Sequence, residues 1–401
     1  MTIPHDVLQS EIDKRIANTR ALMAERGYDA LIVYGNNKLS GSLRYLTDYF
    51  PDRAGWISLT GTETAIVDGA GAFINANDPP VLLVDPGLMP TREICVSEIM
   101  AGEGFAATKG DGLSVQNLEK LITDTGSVKR IGIETFDKFP APIYAGIIEK
   151  FSDIEIVRST IVEELRMVKS DFDLEMFRKA GRIADLGHET IVNLLKEKGV
   201  GVTELEIIRA AEHAMRSTDP IYEDSCSSSP SLICTGHPVA GALLHLPNPA
   251  KSVHRGDIVH WDICMRFEGY PIDNARTRCM GPVAEKHKRA YEAVLEIQRA
   301  IIEAAKPGIL ASKLVDLAEQ MAIDRGFKLW DRFLGHGLGW DIHERPDMGI
   351  EELPLKENMV LAIEPRLAVD NIYLFGNEDM VHVTKDGGVS FSSFPKEPLE
   401  I

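Results

Sequence analysis

At 401 residues the chain is too long for one ordinary core, and at roughly 150 residues per domain two domains are expected. Its 44% hydrophobic and 26% charged content is that of a globular chain and excludes an extended disordered one. A formal charge of −18, with 61 acids against 43 bases and no dense Lys/Arg block, argues against nucleic acid as the main partner.

The opening stretch MTIPHDVLQSEIDKR mixes charges into its first turns and lacks the apolar run of a secretory signal. No apolar run approaches the ~18 residues of a membrane span. A cytoplasmic protein without a membrane partner is expected. Ile12, Ile16 and Met23 then give a helical stripe that Gly27 stops. Strand-like runs follow at Asp29–Tyr34, Gly55–Leu59, Thr64–Asp68, Pro80–Asp85 and Arg130–Glu134, with helical stretches near 114–124 and 140–150. This rhythm predicts an α/β domain over residues 1–160. The run Arg44–Tyr49 could line a site, with packing as its expected use. From 161 to 401 the texture changes: a long helix is expected over about 171–196 with Ser170 as N-cap, and another after Thr203, whose Glu206 completes a capping box.

The five cysteines, Cys95, Cys226, Cys234, Cys264 and Cys279, are odd in number and form no CxxC pair. Neither a disulfide framework nor a thiolate zinc site is expected.

The chemistry concentrates in the second half. In Gly256–Gly281, Val259, Trp261 and Ile263 alternate with His260, Asp262 and Cys264, a strand with two distinct faces. A turn at Glu268-Gly269 breaks the run. A hairpin centred between Phe267 and Glu268 would set Asp262 opposite Asp273, with Cβ atoms about 5 Å apart. Two ionised carboxylates that close need a proton or a cation between them. Downstream, His336 sits among glycines in LGHGLGWDIHERP, with His343 seven residues later. Glu364 ends the apolar run MVLAIEP, and Glu378 and Asp379 open GNEDMVHVT. An acid at the end of an apolar strand is costly to bury alone and asks for a cation.

The order Asp, Asp, His, Glu, Glu resembles the pita-bread metallohydrolases: methionine aminopeptidase, Xaa-Pro aminopeptidase, prolidase and creatinase. The resemblance implies an α/β N-terminal domain over 1–160 plus an α+β pita-bread, creatinase-like catalytic domain over 161–401. It implies five metal ligands, Asp262, Asp273, His336, Glu364 and Glu378. These would hold two divalent ions, and a set of one imidazole and four carboxylates suits manganese, cobalt, iron or zinc. Such ions activate water near neutral pH. In the same reading Glu364 also shuttles a proton to the leaving nitrogen, while His245 and His343 donate to the carbonyl oxygen as it gains charge. The implied activity is hydrolysis of a peptide or amide C–N bond in a small substrate, by a homodimer similar to Xaa-Pro aminopeptidases and dipeptidases. The alternatives are a family member acting on a non-peptide small molecule, as creatinase, ectoine hydrolase and a dimethylsulfoniopropionate lyase do, or a non-catalytic binder.

Three positions depart from the proline-specific pattern: Arg332 and Ala275 replace a usual histidine and threonine, and Gly376 replaces a usual arginine. Arg332 is free to hold a substrate carboxylate, with surface ion pairing as its other reading, and Trp340 could narrow the pocket.

Overall fold

The computed structural model describes residues 3–51, 69–84, 93–101, 112–218, 231–236, 245–369 and 373–401. The chain divides between Arg166 and Met167 into two units. The expected strands Gly55–Leu59 and Thr64–Asp68, and Cys226, lie outside the described residues.

In the first unit a helix, His5–Arg26, ends at Gly27, whose φ of 68° is the left-handed conformation that glycine adopts cheaply. Its stripe of Ile12, Ile16 and Met23 is buried. A mixed sheet follows, in the order Glu98–Met100, Val81–Leu83, Ala70–Asn75, Ala30–Gly35, Arg130–Glu134, Glu155–Arg158. Ala30–Gly35 pairs antiparallel with Ala70–Asn75 and parallel with Arg130–Glu134. Helices Val115–Thr125 and Ala141–Lys150 bury Leu118, Ile122, Ile143 and Ile147 in the same apolar cluster as Ile131 and Ile133. The run Arg44–Tyr49 falls largely in the buried helix Gly41–Thr47, where it packs.

The second unit begins with the helix Asp171–Lys198. Ser170 caps it by accepting from the Asp173 amide, and the Asp173 carboxylate accepts from Ser170 in return. Thr203 and Glu206 form the second reciprocal cap, on Glu204–Arg216. Both caps stand where the sequence put them. Beside these helices lies a sheet ordered Leu232–Thr235, Ile258–Phe267, Tyr270–Cys279. A second sheet is ordered Glu344–Asp347, Gly335–Gly337, Val360–Ile363, Asp379–Thr384, Gly387–Ser390, and a small third sheet joins Lys328–Leu329, Arg366–Val369 and Tyr373–Gly376. Helices Glu285–Ala304 and Ala311–Asp324 share an apolar core with the second and third sheets.

One buried polar chain fixes which face of the hairpin strand turns inward. The Trp261 indole N–H donates to His188 Nδ1 at 2.9 Å, and His188 Nε2 lies 2.8 Å from Asn274 Oδ1. Accepting at Nδ1 leaves the proton on Nε2, so the ring is a neutral relay. Burial, then the charge of Arg276, holds its pKa well below the ordinary histidine range. Trp261 therefore faces the long helix, and by strand alternation Asp262 faces the opposite way. Replacing His188 with leucine should lower stability by about 2–3 kcal/mol in urea denaturation, because a buried indole donor loses its acceptor. An unchanged midpoint would show that the chain contributes nothing.

Candidate metal centre

The turn of the central hairpin sets the first two acids. Glu268 and Gly269 both have positive φ, 47° and 88°, as a two-residue hairpin turn demands. Phe267 thus pairs with Tyr270, Cys264 with Asp273, and Asp262 with Ala275. The expected direct opposition of Asp262 and Asp273 is corrected here: the turn sits one residue later than assumed, which shifts each partner by two. A shift of two keeps both acids on one face as diagonal neighbours. Their side chains still converge, since ligand atoms of Asp262, Cys264 and Asp273 lie within 4.8 Å of one another.

His336 comes from the short strand Gly335–Gly337, paired with Val360–Ile363. Gly335 has φ 143°, and a Cβ there would stand 1.9 Å from the Ala362 carbonyl oxygen, so only glycine lets the strands close this tightly. His336 Nδ1 donates to the Gly337 carbonyl at 3.0 Å, which leaves Nε2 to face the acids. That nitrogen lies 3.4 Å from Asp273 and 3.9 Å from Glu364. Burial lowers the His336 pKa, but the nearby Asp273 carboxylate outweighs it and the pKa is raised.

Glu364 and Glu378 follow the strands Val360–Ile363 and Tyr373–Gly376. Two residues that sequence reasoning missed hold those segments in place. Gln298 donates through one amide to the carbonyls of Ile363 and Asn377, both at 3.0 Å. Arg276, fully buried, donates to the Glu378 carbonyl at 2.7 Å and pairs with Asp379 at 2.9 Å. In sequence an arginine and a glutamine read as surface residues, so only their burial reveals the role.

The result is one crowded group. Ligand atoms of His336, Glu364 and Glu378 lie within 4.8 Å of one another, as do those of Asp273, His336 and His343. Burial, reinforced by the charges of Asp273 and Glu364, drives the Asp262 carboxyl well above its usual range. Glu378 is displaced the same way, by burial and then Asp273, and Glu364 is raised by burial. Asp262 Oδ1 and His336 Nε2 are buried without a hydrogen-bond partner. Buried oxygen and nitrogen atoms without hydrogen-bond partners, among acids that repel, fit divalent cations.

The remaining expected site residues fall in different places. His343 is brought in: its ring centroid is 4.0 Å from that of His336. Burial, then the neighbouring His336, lowers its pKa. His245 is placed elsewhere. It bridges Ile233, which pairs with Trp261, so its side chain belongs to the face opposite Asp262. Its Nε2 lies 3.6 Å from the buried Glu204, which also accepts from the Thr235 hydroxyl and amide. Arg332 is committed to the surface, between Asp316 at 2.9 Å and Glu319. Trp340 is buried against Tyr270, with ring centroids 4.5 Å apart, and is part of the core.

A pita-bread fold that brings acid and imidazole side chains together in such clusters is the design of a metallopeptidase. Residues 175–385 match metallopeptidase family M24, and residues 15–168 match the creatinase/prolidase N-terminal domain. The Xaa-Pro dipeptidase of Pyrococcus furiosus is 31% identical over 244 residues, covering 60% of this chain and 67% of that protein. The Xaa-Pro dipeptidase of Pyrococcus horikoshii is 30% identical over 242 residues, covering 59% and 66%. The chain thus spans about two thirds of the length of these dipeptidases. Among solved structures, the prolidase from Pyrococcus horikoshii superposes with a TM-score of 0.73 at 23% identity, over 96% of this chain and 99% of that one. The X-Pro aminopeptidase from Thermotoga maritima gives 0.74 at 21% identity, over 96% and 99%. The chain belongs to metallopeptidase family M24 and carries the creatinase-type N-terminal domain.

Proposed function

We propose that the protein is a dinuclear metal-dependent peptidase that hydrolyses the C–N bond of small peptides in the manner of Xaa-Pro dipeptidases. The carrying observation is the convergence of Asp262, Asp273, His336, Glu364 and Glu378 with two buried donor atoms left unpartnered. These five residues would hold the ions. When bound, divalent ions polarise a peptide carbonyl and lower the pKa of water towards neutrality.

The chain's own groups supply the rest. Glu364, the least buried of the four acids, would take a proton from the attacking water and pass it to the leaving nitrogen. His343, exposed beside His336, would donate to the carbonyl oxygen as negative charge builds there.

A panel of Xaa-Pro dipeptides, other dipeptides and small amides, assayed after loading with manganese, cobalt or zinc, tests the proposal. Turnover of dipeptides that disappears with chelator is the expected result, with near two ions per chain by elemental analysis. Turnover that persists without metal, or confinement of activity to non-peptide amides, would overturn it.

A further inference from the structure

We propose that Arg366 is the residue that anchors a carboxylate group of the substrate, an inference that rests on the peptidase reading of the same site. The guanidinium lies between two acids without closing on either: Nη1 is 3.5 Å from Glu364 and Nη2 is 3.6 Å from Asp331. Its Nε is buried and has no hydrogen-bond partner. It rides 5.5 Å over the Phe333 ring, whose own stacking partner is the His336 imidazole at 5.9 Å. Arg366 therefore borders the centre directly through Glu364, and its side chain is 17% exposed, so a ligand can reach it.

Three physical points lead from this placement to a role. A guanidinium offers five donors in a rigid fork that matches a carboxylate; here Nε has no hydrogen-bond partner and the two terminal nitrogens make only long ion pairs. Once Glu364 ligates a cation, its charge is shared with that cation and the nearest counter-ion of Arg366 is weakened. The cation is then left for an incoming anion. Room for it comes from Gly376, which is paired with Arg366 in the strand register. A Cβ at position 376 would stand 3.2 Å from the Arg366 Cγ, tighter than ordinary contact. Arg332, the other candidate for this task, is occupied by Asp316 and Glu319.

The opposing account is that Arg366 only offsets the charge of Glu364, and binding separates the two. The probe is an Ala-Pro analogue with the peptide carbonyl reduced to methylene, prepared as the free acid and as the C-terminal amide. Calorimetry gives its Kd for the manganese-loaded wild type, Arg366→Met and Arg366→Lys. The wild type should bind the free acid about 10- to 100-fold more tightly than the amide, the range of a charge-assisted pair. Arg366→Met should lose that ratio and Arg366→Lys should keep part of it, with metal content unchanged in both. A wild type that does not prefer the free acid overturns the proposal. So does a preference that survives in Arg366→Met, or a Met variant whose only defect is lost metal. Because the probe cannot be hydrolysed, failure of the peptidase reading would appear separately, in the turnover panel.

Discussion

Asp262→Asn and Glu378→Gln are each expected to cut turnover more than about 100-fold while making the metal-free protein more stable. The two effects have one origin. Both side chains are buried among other acids, and burial together with Asp273 drives their carboxyls well above the usual range. Without cations the folded chain must therefore keep protons on them or bear their repulsion. An amide of the same shape removes that cost, so the thermal midpoint in chelator should rise. With metal the sign should reverse, because the charge of a proposed ligand is gone. Loss of an outer partner alone typically costs 10- to 100-fold in metal affinity or activity, and loss of a ligand should cost more. Paired melts with and without chelator, beside elemental analysis and turnover, check both halves. A variant that remains fully active shows that its residue is not a ligand, and a lower midpoint in chelator shows that the acids are not in conflict.

The second large effect is on pH dependence. Asp262, Glu364 and Glu378 have folded-state pKa values above their unfolded ones. The folded metal-free chain thus holds protons that the unfolded chain has already released. Stability contributed this way is present at acid pH and is lost as pH rises through the folded values, at about 1.4 kcal/mol per pH unit for each proton of difference. His336, also raised, acts in the same direction, since its protonated form is favoured only while folded. Metal loading needs these carboxylates ionised and the imidazole neutral, so it must expel protons and strengthen with pH. The gap between the melting temperatures of loaded and chelated protein should therefore widen from about pH 5 to about pH 8. Calorimetric heats of manganese binding should change with the ionisation enthalpy of the buffer. Parallel melting curves and buffer-independent heats would show that loading displaces no protons.

Much of this centre could be read from the chain because its residues are anomalies where they stand. Acids that close apolar strands, and a histidine among glycines, are costly unless something binds them. The two helix caps were equally legible, since a cap is a local bargain between residues three apart. What stayed hidden depends on distance in the fold. Glu268 gives no sign that it adopts a positive φ, so the hairpin partners were displaced by two. Arg332 finds its acids on the helix Ala311–Asp324, and no local pattern announces that neighbour. His245 has a suggestive spacing from Asp262, but its face is set by a single bridge to Ile233. Arg276 and Gln298 position two acids through backbone carbonyls, a role that leaves no signature in side-chain type.

The Glu268-Gly269 turn also limits how this protein can change over time. Its strands can absorb the gain or loss of residue pairs, because every second side chain meets the same surroundings. A single inserted residue in one strand would carry Asp262 or Asp273 to the side where Trp261 meets the long helix. Lineages descending from this chain should accordingly show length changes in this hairpin in even steps, with odd ones surviving only beside a compensating bulge.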